Sequence, residues 1–132
     1  MSAGIAAMSE VFTADVAEGL HARGESLRGR INAIFLKRGV GLQATGLGSM
    51  IHLHPIATPI HRPGDLMSAD ERVRDLLYFD LLERGQYIGR RGFMALTLAL
   101  TDRDLDGFVD SLDEIVGARK AVLPTRTSET EL

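Results

Sequence analysis

Cysteine is absent from this sequence, which excludes a disulfide framework and any thiolate metal site and suits a cytoplasmic protein. Long apolar runs are missing as well. None approaches the about 20 residues that span a bilayer, and the N-terminus lacks the basic start and apolar core of a signal peptide, so no membrane partner is expected. Positive charge is in deficit: 15 Lys and Arg face 18 Asp and Glu, for a net charge of −3. Without a broad basic field, nucleic acid is not an expected partner. Lysine is confined to Lys37 and Lys120. Each falls at a predicted helix end rather than in an apolar pocket that would lower its pKa, so neither is expected to form a Schiff base.

What remains is the composition of a folded protein, with 45% hydrophobic and 25% charged residues over 132 positions, enough for one domain with a real core. The segment 39–56 organises the rest. Its glycines at 39, 41, 46 and 48 permit tight bends, and from Leu47 onward Leu47, Ile51 and Leu53 alternate with Met50, His52 and His54, the signature of a half-buried strand ending at Pro55. Upstream, residues 1–10 are Ala-rich with Ile5 and Met8 at helical spacing. Thr13 is placed to cap a second helix whose stripe runs through Val16, Leu20, Leu27, Ile31, Ile34 and Phe35, with Gly39 as its stop. Downstream, Pro55, Pro59 and Pro63 mark an irregular loop over 57–67.

Ser68 and Glu71 read as a capping box for a helix reaching Arg84, apolar on more than one face. Residues 86–88 read as a short strand, and 93–100 as another with a bulky and a small face. Thr101 caps the final and most regular amphipathic helix, with Asp102 and Asp104 in its first turn. The expected fold is α+β: a small, mainly antiparallel, three-stranded sheet covered by helices, with a long helical N-terminal segment. Residues 1–120 form the domain, and 121–132 a polar tail expected to be disordered.

Two constellations carry possible chemistry. His52 and His54 share a strand face about 7 Å apart, and with His61 or Asp65 as a third ligand they outline an alternative metal site. Arg90 and Arg91, held between Gly89 and Gly92, form a candidate anion site because a guanidinium fork pairs with a carboxylate or phosphate through two bonds. The aspartates of the last helix lie mainly on its solvated face. Gly46-x-Gly48 lacks the third glycine of a dinucleotide fingerprint, and Ser49 has no nucleophile elbow around it.

Four stretches in order, Met-Ser-Ala-Gly-Ile-Ala-Ala-Met at 1–8, Gln-Ala-Thr-Gly-Leu-Gly-Ser-Met at 43–50, Leu-Glu-Arg-Gly-Gln-Tyr-Ile at 82–88 and Leu-Thr-Asp-Arg-Asp-Leu-Asp at 100–106, resemble the C-terminal small domain of class III pyridoxal-phosphate aminotransferases, in particular the glutamate-1-semialdehyde aminomutase branch. The resemblance implies a cofactor, pyridoxal phosphate, in the complete enzyme and none on this chain alone, since the aldimine lysine and the phosphate turn belong to the large domain. It also implies an amino or keto acid substrate met by Arg90 and Arg91, and no catalytic residue here. The implied partner is a large-domain chain or a second copy. A metal- or anion-binding module and a plain interaction domain are the alternatives.

Overall fold

The computed structural model describes residues 1–126. Its longest helix, α2 (Ala14–Arg38), starts where Thr13 accepts a hydrogen bond from the Val16 amide and ends at Gly39, whose φ of 68° is the left-handed stop. Ahead of it, α1 (Ser2–Ala6) widens into a π-type turn over Ala7–Val11. No residue of either piece is buried, and Ile5, Met8 and Val11 are each more than half exposed. Leu20, Leu27, Ile31, Ile34 and Phe35 of α2 face the core.

Residues 39–56 form not one strand but a hairpin, β1 (Gln43–Leu47) and β2 (Met50–His54), which pair antiparallel with Thr45 opposite His52. Gly48 and Ser49 turn the chain. Gly48 has φ 55° at the first turn position, where a two-residue hairpin loop of the II′ kind calls for glycine. The turn inverts the alternation: Leu47 stands opposite Met50 and shares the exposed face with it, so of the face expected from Leu47, Ile51 and Leu53 only the last two point into the core. The third strand, β3 (Phe93–Ala95), pairs antiparallel with β2 to give the order β1-β2-β3.

The three-stranded antiparallel sheet matches the expected class, but its membership differs. Residues 86–88 are not a strand: the Gln86 amide donates to Leu81 and the segment runs on as loop, with Ile88 buried. The strand expected over 93–100 stops at Ala95, and its small face does not meet a helix, since Ala95 is exposed while Leu96 turns inward.

α2 grips the hairpin at its turn. A Cβ placed on Gly24 would lie 1.9 Å from the Gly48 carbonyl oxygen, and the Glu25 carboxylate accepts from the Gly48 amide at 2.9 Å. Further along, the Asn32 side chain both donates to and accepts from the Ala44 backbone at 2.9 and 2.8 Å, satisfying the outer edge of β1 at that residue. Helix α3 (Glu71–Glu83) is capped by Asp70, which accepts from the Arg72 amide; Ser68 lies in a preceding 3-10 turn (Pro63–Ser68), so the expected Ser68–Glu71 box does not form. Helix α4 (Asp102–Arg119) has the expected Thr101 cap, completed into a box by Asp104.

Ala44, Ile51 and Leu53 of the sheet meet Leu105, Phe108, Leu112, Ile115 and Val116 of α4 and Val73, Leu77 and Leu81 of α3 in one apolar core. Buried Asp80 of α3 is held bidentately by Arg119 of α4 at 2.7 and 2.8 Å. Along the seam between α2 and α4, Arg23 pairs with Asp102, Arg30 with Asp106, and Lys37 and Arg38 with Asp113. Since Leu112 is completely buried, Leu112→Ala is expected to cost about 2–5 kcal/mol, read as a lower urea midpoint at unchanged slope.

The expected tail is partly a structural element. Leu123 is buried, the Gly41 amide donates to the Pro124 carbonyl, and Thr125 bridges to Val40. Apolar Leu123 supplies the anchor that a count of polar residues from 121 onward overlooks. The rest of the expected disordered segment, 127–132, lies outside the described residues.

Candidate functional site

The loop 89–92 is built by backbone constraints before any side chain acts. Gly92 has φ 88°, and a Cβ there would lie 2.6 Å from the Leu53 carbonyl oxygen, so the position requires glycine. Its amide donates to Gly89 at 2.8 Å, its carbonyl accepts from Leu53 at 2.9 Å, and the Gly89 amide donates to Phe93 at 2.7 Å. The loop is a tight turn seated on the end of β2.

The two arginines it carries are treated differently. Arg90 makes a fork-to-fork pair with Asp75 of α3, both contacts 2.9 Å, with its guanidinium carbon 5.8 Å from the centre of the Phe79 ring. The Arg90 hydrogen bonds are the leading reason that the Asp75 carboxyl sits below the usual carboxylate range. Arg91 is exposed and has no carboxylate partner among the described residues. Its carbonyl, in contrast, is held at 2.7 Å from Nε2 of His52. A carbonyl can only accept, so Nε2 carries the proton. Arg74, Asp75, Arg90 and Arg91, with Glu71, line an open cleft of about 520 Å³.

His52 and His54 come together, but not as metal ligands. Their rings stack with centroids 4.3 Å apart at 29°, and Nε2 of His54 meets the Thr45 hydroxyl at 2.8 Å. His54 is 6% exposed, deeper than the partly exposed strand face expected for it. Burial first, then the neighbouring His52 and Arg74, lower its pKa to about 4. The suggested third ligands are engaged locally: Asp65 accepts from the His61 and Arg62 amides at 2.9 and 3.1 Å. No group of three His, Cys, Asp or Glu suited to a metal occurs among the described residues. Gly46, Gly48 and Ser49 belong to the hairpin.

For a pyridoxal cofactor the residues present do not fit. Lys37 pairs with Asp113 on the α2–α4 seam, Lys120 is exposed just beyond α4, and neither lines the cleft beside the 89–92 loop. Asp75 and Phe79 are the residues sequence reasoning missed here, and His52, singled out there as a possible metal ligand, holds the Arg91 carbonyl instead. The first two lie on a helix well removed in sequence, and only the clustering of small and basic residues at 89–92 signalled the place they converge on.

No model of a protein family matches the chain. Over 124 residues it is 40% identical to the β-phenylalanine transaminase of Variovorax paradoxus, a match covering 94% of this chain and 29% of that protein. It is 30% identical over 122 residues to the glutamate-1-semialdehyde 2,1-aminomutase of Desulfosudis oleivorans, covering 92% and 27%. The crystal structure of the Variovorax paradoxus β-phenylalanine aminotransferase superposes with a TM-score of 0.92 at 39% identity, covering 95% of this chain and 29% of that one. A glutamate-1-semialdehyde aminomutase from Pseudomonas aeruginosa shares the fold at a TM-score of 0.80 and 18% identity, covering 88% and 26%. The chain thus spans less than a third of the length of the relatives it matches.

Proposed function

We propose that the chain, whose homologues and structural neighbours are class III pyridoxal-phosphate aminotransferases of which it spans only a small part, acts as their small domain and forms one wall of a substrate site, with Arg91 meeting the carboxylate of an amino or keto acid. The observation that carries this is the contrast inside one loop: Arg90 is bound to Asp75, whereas Arg91, with no carboxylate partner among the described residues, lines the cleft from a backbone fixed on both sides. A free guanidinium fork is matched to a carboxylate in shape and charge.

Alone the chain is not catalytic. Pyridoxal phosphate supplies the electron sink when bound in such enzymes, and the lysine that anchors it must come from the rest of the fold. The chain's own work is to bind and orient the anionic end of the substrate. Exposed Ile5, Met8 and Val11 at the N-terminal helix, Phe79 and Leu82 on α3, and Leu47, Met50 and Phe93 on the open sheet face support burial of these surfaces against a large-domain chain or a second copy. The absence of cysteine accords with work in the cytoplasm.

A chimera tests this directly. Residues 1–126 replace the matched segment of the Variovorax paradoxus β-phenylalanine transaminase, and transamination of β-phenylalanine is followed. The chimera is expected to be active, and Arg91→Ala to raise KM about 10-fold or more, the scale of one charge-assisted hydrogen bond. Arg90→Ala is expected to act chiefly through loop stability. A loss of binding in Arg90→Ala with none in Arg91→Ala would reverse the assignment, and a folded, cofactor-loaded chimera without activity would reject the small-domain role.

A further inference from the structure

We propose that His52 is a positioning residue for Arg91: its ring N–H, bonded to the Arg91 carbonyl, fixes the peptide from which the substrate-binding guanidinium is aimed. This rests on the carboxylate-binding role given to Arg91 above. Three observations converge on it. The 2.7 Å contact is made by a side chain on the rigid middle strand to the main chain of the loop, so it constrains backbone direction and leaves the Arg91 side chain free.

His52 is itself immobilised, stacked on His54 and met edge-on by the Phe93 ring at 6.4 Å between centroids, with Thr45 directly across the strand pair. Behind it, the Thr45 hydroxyl holds His54 in place. On the other side of the loop, the Asp75 pair anchors Arg90, the residue immediately before Arg91. The peptide carrying Arg91 is therefore pinned from β2 and from α3. A loop ordered before the ligand arrives does not have to be ordered by it, and that difference appears in affinity rather than in the chemical step.

The test uses the chimera and the chain itself. In the chimera, His52→Ala is expected to raise KM for β-phenylalanine about fivefold to tenfold with kcat retained. His52→Gln, which can still offer an N–H to the Arg91 carbonyl, restores KM. His52→Phe keeps the ring stack without the donor and behaves as His52→Ala. In the 132-residue chain, ¹⁵N heteronuclear NOE values for the Arg91 and Gly92 amides are expected to fall in the Ala and Phe variants and to hold in the Gln variant. Unchanged NOE values in His52→Ala and His52→Phe, a fall in kcat at constant KM, or no rescue by Gln would overturn the proposal. If Arg91→Ala leaves KM unaltered, it is the carboxylate role of Arg91 that has failed, and the NOE measurement still decides whether His52 holds the loop.

Discussion

Gly24→Ala is expected to lower stability by about 2–4 kcal/mol, whereas Gly29→Ala, on the same helix, is expected to raise it by about 0.5–1 kcal/mol. Both substitutions exchange a mid-helix glycine for a better helix former, and on propensity alone both would stabilise. They differ in what the new methyl meets. At Gly29 nothing lies within 4 Å, while at Gly24 the methyl would sit 1.9 Å from a carbonyl oxygen of the hairpin turn, with two further backbone atoms of that turn at 2.3 and 2.7 Å. Backbone atoms cannot rotate aside as a side chain does, so either the hairpin lifts from α2 or the helix shifts. This places the cost at or above the usual range for an overfilled core. Urea unfolding of the pair measures it, and Gly24→Ala as stable as the parent would mean that the hairpin does not rest on α2 as described.

Acidification from pH 6.5 to about 4 is expected to remove up to about 3 kcal/mol of stability through His54 alone. Its pKa falls from 6.5 to about 4 in the folded chain, so between those values the unfolded chain binds a proton that the folded chain refuses. Stability therefore rises with pH across the window, is fully present above 6.5, and is lost as pH falls toward 4. His54→Asn removes the titrating ring and should flatten this slope, leaving the lower-pH decline in which carboxyls such as Asp80 and Asp113, held below their usual range chiefly by Arg119 and Arg38, become protonated. Parallel slopes in the two proteins between pH 6.5 and 4.5 would show that His54 does not titrate as its burial implies.

Local signals were legible in the sequence wherever one residue type answers one backbone requirement. Thr13, Gly39 and Thr101 mark helix ends as expected, with Gly39 at φ 68°, and Gly85, just past the end of α3, takes the same left-handed conformation at φ 73°. The repeats in α2 and α4 give their buried faces correctly. Two kinds of information were not local. The Gly48–Ser49 turn inverts strand parity, so an alternation run through it from Leu47 puts Leu47 on the wrong face; the signal lay in Gly48 itself, since a II′ turn takes glycine first. The 86–88 segment has strand composition and a buried Ile88, yet Gln86 closes the end of α3 instead of joining the ladder.

The site follows the same division. Arg90 and Arg91 were legible as a cationic pair between glycines, but which of them is free depends on Asp75, a residue on another element, and no spacing rule connects the two. His52 and His54 read as a possible chelate because their separation fits one. The fold gives one imidazole to the Arg91 carbonyl and the other to the Thr45 hydroxyl.

The ion pairs along the α2–α4 seam have a consequence for traffic around the molecule. Arg23, Arg30, Lys37 and Arg38 are all paired there, the last two sharing Asp113, as are Arg28, Arg62, Arg72, Arg74, Arg84, Arg90 and Arg119 elsewhere. In a chain of net charge −3 this leaves few uncommitted cations to detain a small anion. Among the described residues Arg91 and Arg126 are the guanidiniums that border a hollow without an ion pair, so self-neutralisation of the other cations narrows where an arriving carboxylate finds an uncommitted partner.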